Sequence, residues 1–157
     1  MTALPAEEAR AIVARYPSPR SAILPLLWLG QRTAGHVTPE AVQDVAELLD
    51  LRVSEVESVL SFYTMFRRRP PARCRLEVCR SLACAMKGAE EIVEHVREAT
   101  GVEPGGQSED GQFSIAYVEC VAACDHAPAY IFNERMGGPL TREAALALIR
   151  GEGVGRP

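Results

Sequence analysis

The chain has 157 residues, 47% hydrophobic and 24% charged, a composition that supports one folded core or two small ones without disulfide staples and excludes disorder over most of the length. Its formal net charge of −4 argues against a general affinity for nucleic acid phosphates or anionic lipid surfaces. The longest apolar stretch, Ala22 to Leu29, is interrupted by Pro25 and falls far below the roughly 18 residues that span a bilayer, so any membrane association is expected to be indirect. The five cysteines cannot all pair with one another. Acidic Glu7 and Glu8 stand where a secretory signal would carry basic and apolar segments, so a secreted disulfide scaffold is not expected.

The first 66 residues read as consecutive helices forming a small antiparallel bundle or part of one, within a docking domain over residues 1–70. A helix is expected over Ala6 to Arg15. Ser18-Pro19 supplies an N-cap and a preset first-turn φ for the next, whose apolar residues Ala22, Ile23, Leu26, Leu27 and Gly30 recur at helical spacing up to Gly35, with a kink expected at Pro25. Thr38-Pro39 repeats the start signal, and Ala41, Val42, Val45, Ala46 and Leu49 make one buried face. Ser54 and Glu57 read as a capping box opening a fourth helix that carries Val56, Val59, Leu60, Tyr63 and Phe66. Arg67-Arg68-Arg69-Pro70-Pro71 ends the pattern as a linker, since two prolines and a like-charged run do not continue a packed helix.

From residue 71 to 157 the periodicity changes. Cys74, Leu76 and Val78 alternate with Arg73, Arg75 and Glu77, as in a strand with one buried face. Ala83 to Ala99 reads as one helix with Gly101 as its stop, and a polar loop from Glu103 to Gly111 precedes a second strand at Gln112 to Glu119. Ala129 to Asn133 and a short segment near Gly138-Pro139-Leu140 look like a hairpin, and Thr141 caps a last helix through Ile149 with Ala144, Ala145, Leu148 and Ile149 inward. The fold class is α+β: a helical bundle over residues 1–70, then a mixed sheet with flanking helices over 71–157.

Four cysteines fall in two pairs, each at the end of a predicted strand: Cys79-x4-Cys84 and Cys120-x3-Cys124. Adjacent strands bring their ends together, so the pairs can meet although distant in sequence. Four thiolates from two loops suit a tetrahedral zinc site or a 2Fe-2S rhomb in which each iron takes two; a four-residue spacer favours the latter, and redox-active or buried free thiols remain a third reading. His126 is a possible further ligand, although four thiolates already suffice and a polar-loop histidine is commonly solvated. Cys84 lies near the start of a helix whose free N–H groups favour negative charge. Arg80 and Lys87 either add to that field or are ordinary solvated charges, and the backbone amides of Ser81, Leu82, Ala83, Val121, Ala122 and Ala123 are free of large side chains that would keep them from the sulfurs. Cys74 alternates onto the face of Leu76 and Val78 and reads as a core thiol.

The run Cys79-x4-Cys84 with Lys87-Gly88, then Val118-Glu119-Cys120-Val-Ala-Ala-Cys124 and Ala127-Pro128, resembles the thioredoxin-like 2Fe-2S subunit of NADH:quinone oxidoreductase, bacterial respiratory complex I. Tyr16-Pro17, Thr38-Pro39-Glu40, Val45 to Leu49 and Ser61-Phe62-Tyr63-Thr64-Met65-Phe66 are similar to that family's amino-terminal bundle, so the resemblance covers about residues 11 to 150. It implies a thioredoxin-like ferredoxin domain whose 2Fe-2S cluster is bound by Cys79, Cys84, Cys120 and Cys124, with the bundle docking a partner. FMN and NADH would be bound by a flavoprotein subunit of the larger complex, which lies on the cytoplasmic side of the inner membrane. The small subunits of NAD-reducing hydrogenases and NAD-dependent formate dehydrogenases are similar. Ala122 departs from the family, which usually has glycine there; should the loop need φ > 0, alanine would be strained.

The chain has no dinucleotide fingerprint of its own, since Gly101-Val-Glu-Pro-Gly-Gly106 follows a helix rather than a strand, and no paired nucleophile and base. Thr38 to Arg69 superficially resembles a DNA-binding helix-turn-helix, but its second helix opens Ser54-Glu55-Val56-Glu57, which repels phosphate where a recognition helix would read bases.

Overall fold

A computed structural model of the chain describes residues 3–152; the ends of the two expected segments, 1–2 and 153–157, lie outside the described residues. The polypeptide divides into two compact units, Met1–Pro71 and Ala72–Pro157.

The first unit is helical: α1 (Ala6–Val13), a 3-10 turn (Pro19–Ala22), α2 (Ile23–Ala34), α3 (Pro39–Leu49) and α4 (Val53–Phe62). The 3-10 turn resolves the problem posed by Pro25. Because α2 begins at Ile23, Pro25 falls in its first turn, where a missing N–H leaves no intrahelical bond unmade, so the expected kink is replaced by a fresh helix start. Ser18 makes no side-chain cap. Thr38 does cap α3, its hydroxyl accepting from the Ala41 N–H at 3.1 Å, and Ala41, Val42, Val45, Ala46 and Leu49 are all buried. The capping box of α4 is two residues earlier than the sequence suggests. Glu55 reaches back to accept from the Arg52 N–H at 3.1 Å, and Arg20 beside that carboxylate, followed by the Arg52 N–H, holds its pKa down to about 2.

Two buried polar side chains fasten this unit. The Gln31 amide donates to the Met65 carbonyl at 3.1 Å and accepts from the Arg67 N–H at 2.7 Å, so it clasps the turn after α4 and seats Phe66 in the core. Asp44 accepts from the Ala3 and Leu4 N–H groups at 2.8 and 2.9 Å. Such charge-assisted bonds satisfy groups that would cost about 1–3 kcal/mol each if buried alone.

The second unit is a four-stranded sheet in the order β2-β1-β3-β4, with β1 (Cys74–Cys79), β2 (Phe113–Val118), β3 (Tyr130–Phe132) and β4 (Arg135–Gly137). Strand β1 pairs parallel with β2 (Cys79 opposite Val118) and antiparallel with β3, and β3 forms a hairpin with β4. The fourth strand thus precedes Gly138-Pro139 rather than including it. Its turn is Asn133-Glu134, both at positive φ (47° and 71°), the combination that matches strand twist in a two-residue hairpin. The outer edge of β2 is covered by the loop before it, through Ser108 N–H to the Phe113 carbonyl (2.9 Å) and Gly105 N–H to that of Ile115 (2.7 Å).

The connection from β1 to β2 carries α5 (Leu82–Met86) and α6 (Ala89–Thr100) in place of the single helix expected over Ala83 to Ala99. Gly88 at φ 84° breaks it, a left-handed conformation that L side chains rarely adopt. Helix α7 (Arg142–Ile149) is capped by the Thr141 hydroxyl, which accepts from Ala144 N–H at 3.2 Å. Leu76, Val78, Val93, Val96, Ile115 and Ala145 are the fully enclosed centre of this core. Among the described residues no helix is long and apolar enough to cross a membrane.

Candidate metal centre

The parallel pairing of β1 with β2 is what brings the two cysteine motifs to one place. Both strands run the same way and end in register, so the loops Cys79–Cys84 and Cys120–Cys124 leave the same end of the sheet side by side. Cys79 is the last residue of β1, and Cys84 lies in α5 immediately beyond it; both are 2% exposed. Cys120 follows β2, and Cys124 begins a short 3-10 turn; both are exposed. All five cysteines are free thiols.

Three of the four thiols interact. Cys79 and Cys84 shift each other's ionisation, the Cys84 thiol favouring the Cys79 thiolate, and the charge of Cys124 also acts on Cys84. Burial pushes the Cys79 thiol up, but donors from the Ser81 and Val121 backbone, then the Cys84 thiol and the Ser81 hydroxyl, outweigh it and hold Cys79 below the ordinary range. Burial pushes Cys84 up; the Ala129 N–H opposes this, while the neighbouring Cys79 and Cys124 add to it. Cys120 has its own donor, the Ala122 N–H at 3.4 Å.

Backbone amides therefore surround this thiol set, from both cysteine loops and from a third segment. The Ala129 N–H donates to the Cys84 sulfur at 3.4 Å, and the Cys79 N–H donates to the Ala129 carbonyl at 3.0 Å, so Ala129 holds both ends of the first cysteine loop. Sequence pattern does not single out Ala129 as a donor, because its role depends on β3 lying beside β1; the one local signal is its place after Ala127-Pro128. Among the described residues no three His, Cys, Asp or Glu side chains converge tightly enough to chelate a single metal ion.

Ala122 has φ 58°. The condition under which alanine is strained is therefore met, at the residue whose N–H serves Cys120. Relief of about 1–2 kcal/mol for a non-glycine left-handed residue, less about 0.4–1 kcal/mol of extra unfolded-chain entropy, leaves Ala122→Gly more stable by roughly 0.5–1 kcal/mol. Denaturant midpoints of the two full-length proteins measure this, and a lower midpoint for the glycine variant contradicts it.

The remaining sequence candidates lie apart from the sulfurs or beside them without contact. His126 is exposed and its ring sits 3.3 Å from the Asp125 carboxylate. Cys74 is 6% exposed at the opposite end of β1 and packs in the core. Arg80 turns along β2, its guanidinium on the Glu119 carboxylate (2.9 Å) and over the Tyr117 ring.

Known proteins share this arrangement of sequence and fold. The chain is 39% identical over 142 residues to a subunit of the NADH-quinone oxidoreductase of Mycobacterium bovis, covering 90% of this chain and 56% of that one. It is 36% identical over 146 residues to NADH-quinone oxidoreductase subunit 2 of Thermus thermophilus, covering 91% and 81% respectively. The chain thus spans little more than half the length of the mycobacterial relatives, and most of the Thermus one. An air-oxidized NAD+-reducing NiFe-hydrogenase shares the fold, with a TM-score of 0.70 and 24% identity over 80% of this chain and 22% of that chain; its H2-reduced form matches with a TM-score of 0.64 and 25% identity over 71% and 19%. The model of the thioredoxin-like 2Fe-2S ferredoxins matches residues 9–152, and the chain belongs to that family.

Proposed function

We infer that this chain is the electron-transfer subunit of an NADH dehydrogenase module of the NADH:quinone oxidoreductase type. Cys79, Cys84, Cys120 and Cys124 hold its 2Fe-2S cluster, which exchanges single electrons with the FMN of a partner flavoprotein that binds NADH. The observation that carries this reading is the pair of cysteine loops leaving adjacent parallel strands, with backbone N–H groups on Cys79, Cys84 and Cys120.

The donor set fits the cluster. Four thiols in two loops match two thiolates per iron, and the four-residue spacer between Cys79 and Cys84 is the one plant-type ferredoxins use. A bound 2Fe-2S cluster supplies a one-electron couple. The protein's part is to bind, shield and tune. Buried Cys79 and Cys84 exclude water from one side, whereas Cys120 and Cys124 face the surface. The Ser81, Val121, Ala122 and Ala129 amides stabilise negative charge on the sulfurs and so favour the reduced state. Leu82 and Met86, each 78% exposed in α5 beside Cys84, are apolar surface for the flavoprotein to cover, and the helical unit supplies a further docking region.

The likeness to the H2-reduced NAD+-reducing hydrogenase supports a second reading, in which the partner belongs to such an enzyme. Both are tested on protein purified anaerobically from its native host. The expected preparation is brown, holds iron and acid-labile sulfide in equal amounts, bleaches with dithionite, and brings down a flavoprotein. Bleaching by NADH but not by H2 selects the quinone-linked module; bleaching by H2 selects the hydrogenase. Colourless protein with stoichiometric zinc overturns both.

A further inference from the structure

One ion pair lies between the two cysteine loops. Arg80 follows Cys79 and Glu119 precedes Cys120, one step beyond the last paired residues of β1 and β2. The Arg80 N–H extends the ladder to the Val118 carbonyl at 3.1 Å. Its side chain then crosses to the neighbouring segment: Nε and Nη2 donate to Glu119 Oε1 at 3.0 and 2.9 Å, and Cζ stands 5.9 Å from the centre of the Tyr117 ring. Three contacts on one neighbouring segment pin a side chain that is 53% exposed.

An isolated ion pair this exposed contributes little to folding, because water and salt screen both charges. What distinguishes it is position, each charge belonging to the residue next to a cysteine of the proposed centre. A reduced cluster carries one more negative charge than an oxidised one, so a cation held there favours reduction and an anion opposes it. Joined as a pair, the two largely cancel and leave the backbone amides as the main local field.

We propose that Arg80 and Glu119 form a charge-neutral brace across the cysteine loops, whose halves act on the reduction potential in opposite directions. They are positioning and tuning residues rather than ligands. The proposal rests on the cluster assignment made above.

The test is a redox titration of full-length, iron-loaded protein, followed by visible absorption and electron paramagnetic resonance at low and high salt. Arg80→Gln is expected to lower the midpoint potential, Glu119→Gln to raise it, and the double variant to return it near wild type, with both single shifts shrinking as salt rises. A merely structural tie would move both single variants the same way or not at all, and either result overturns the brace. Where a single variant does not hold iron, Arg80→Lys and Glu119→Asp, which keep the charges, are expected to hold it at near wild-type potential; failure of both overturns the proposal. Wild-type protein that takes up no iron and sulfide under reconstitution overturns the cofactor assignment and the brace together.

Discussion

Cys84→Ser and Cys120→Ser are each expected to lose or severely perturb the iron–sulfur centre, whereas Cys74→Ser retains it. Serine is a harder donor than cysteine and its hydroxyl is far less acidic, so it replaces a thiolate poorly on iron. Cys84 is also the sulfur that the Ala129 N–H serves, and a hydroxyl there would leave the site without the thiolate at which that donor is aimed. Cys74 is the counter-case. It stands five residues before Cys79 along β1, which at strand rise is about 17 Å away, and it is enclosed by core residues. Serine there buries a hydroxyl, at a cost of about 1–3 kcal/mol by the mutational scale, and leaves the four other thiols in place. Iron, sulfide and visible absorption of the purified variants measure the outcome. Loss of the centre in Cys74→Ser with retention in Cys84→Ser would reverse the ligand assignment.

The pairing of the cysteine loops is legible in the sequence because it needs only two local signals. Alternation in Cys74 to Val78 marks one strand, the end of the polar loop at Gly111 marks the start of the second before Cys120, and a strand–helix–strand order places their ends together when the strands are parallel neighbours, as β1 and β2 are. Thr38 and Thr141 are legible for a similar reason, since a cap acts within three residues. What escapes depends on choices among local alternatives or on distant partners. Ser54 and Glu57 have the right spacing for a capping box, yet Arg52 and Glu55 start the helix, with Arg20 from a separate segment fixing the Glu55 carboxylate at 2.6 Å. The apolar pattern from Ala85 to Val96 runs across Gly88, so periodicity alone does not register the break between α5 and α6. The Ala129 donor is 45 residues from its sulfur and becomes visible only when β3 joins the sheet.

Gly138 combines these points, because its sequence context suggests a strand and the fold uses the residue as a close approach. A Cβ at Gly138 would collide with the His126 carbonyl oxygen and lie 3.1 Å from the His126 Cβ. His126 ends the 3-10 turn that begins at Cys124, so backbone displaced by the collision belongs to the second cysteine loop. The obstacle is main chain on both sides and cannot swing away. Gly138→Ala is therefore expected to destabilise the protein by about 2–4 kcal/mol, as for overpacking combined with backbone strain, and to lower iron retention by moving Cys124. Gly137 is the control. A Cβ there would meet the Tyr130 ring, the nearest atom at 2.5 Å, and that ring is the far end of a rotatable side chain. Gly137→Ala is expected to cost less than about 1.5 kcal/mol once Tyr130 moves, the range for substitutions that neighbours can accommodate. Denaturation midpoints with iron content on the same preparations separate the two; equal losses at both positions would mean that the Gly138 contact places no special demand on the cysteine loop.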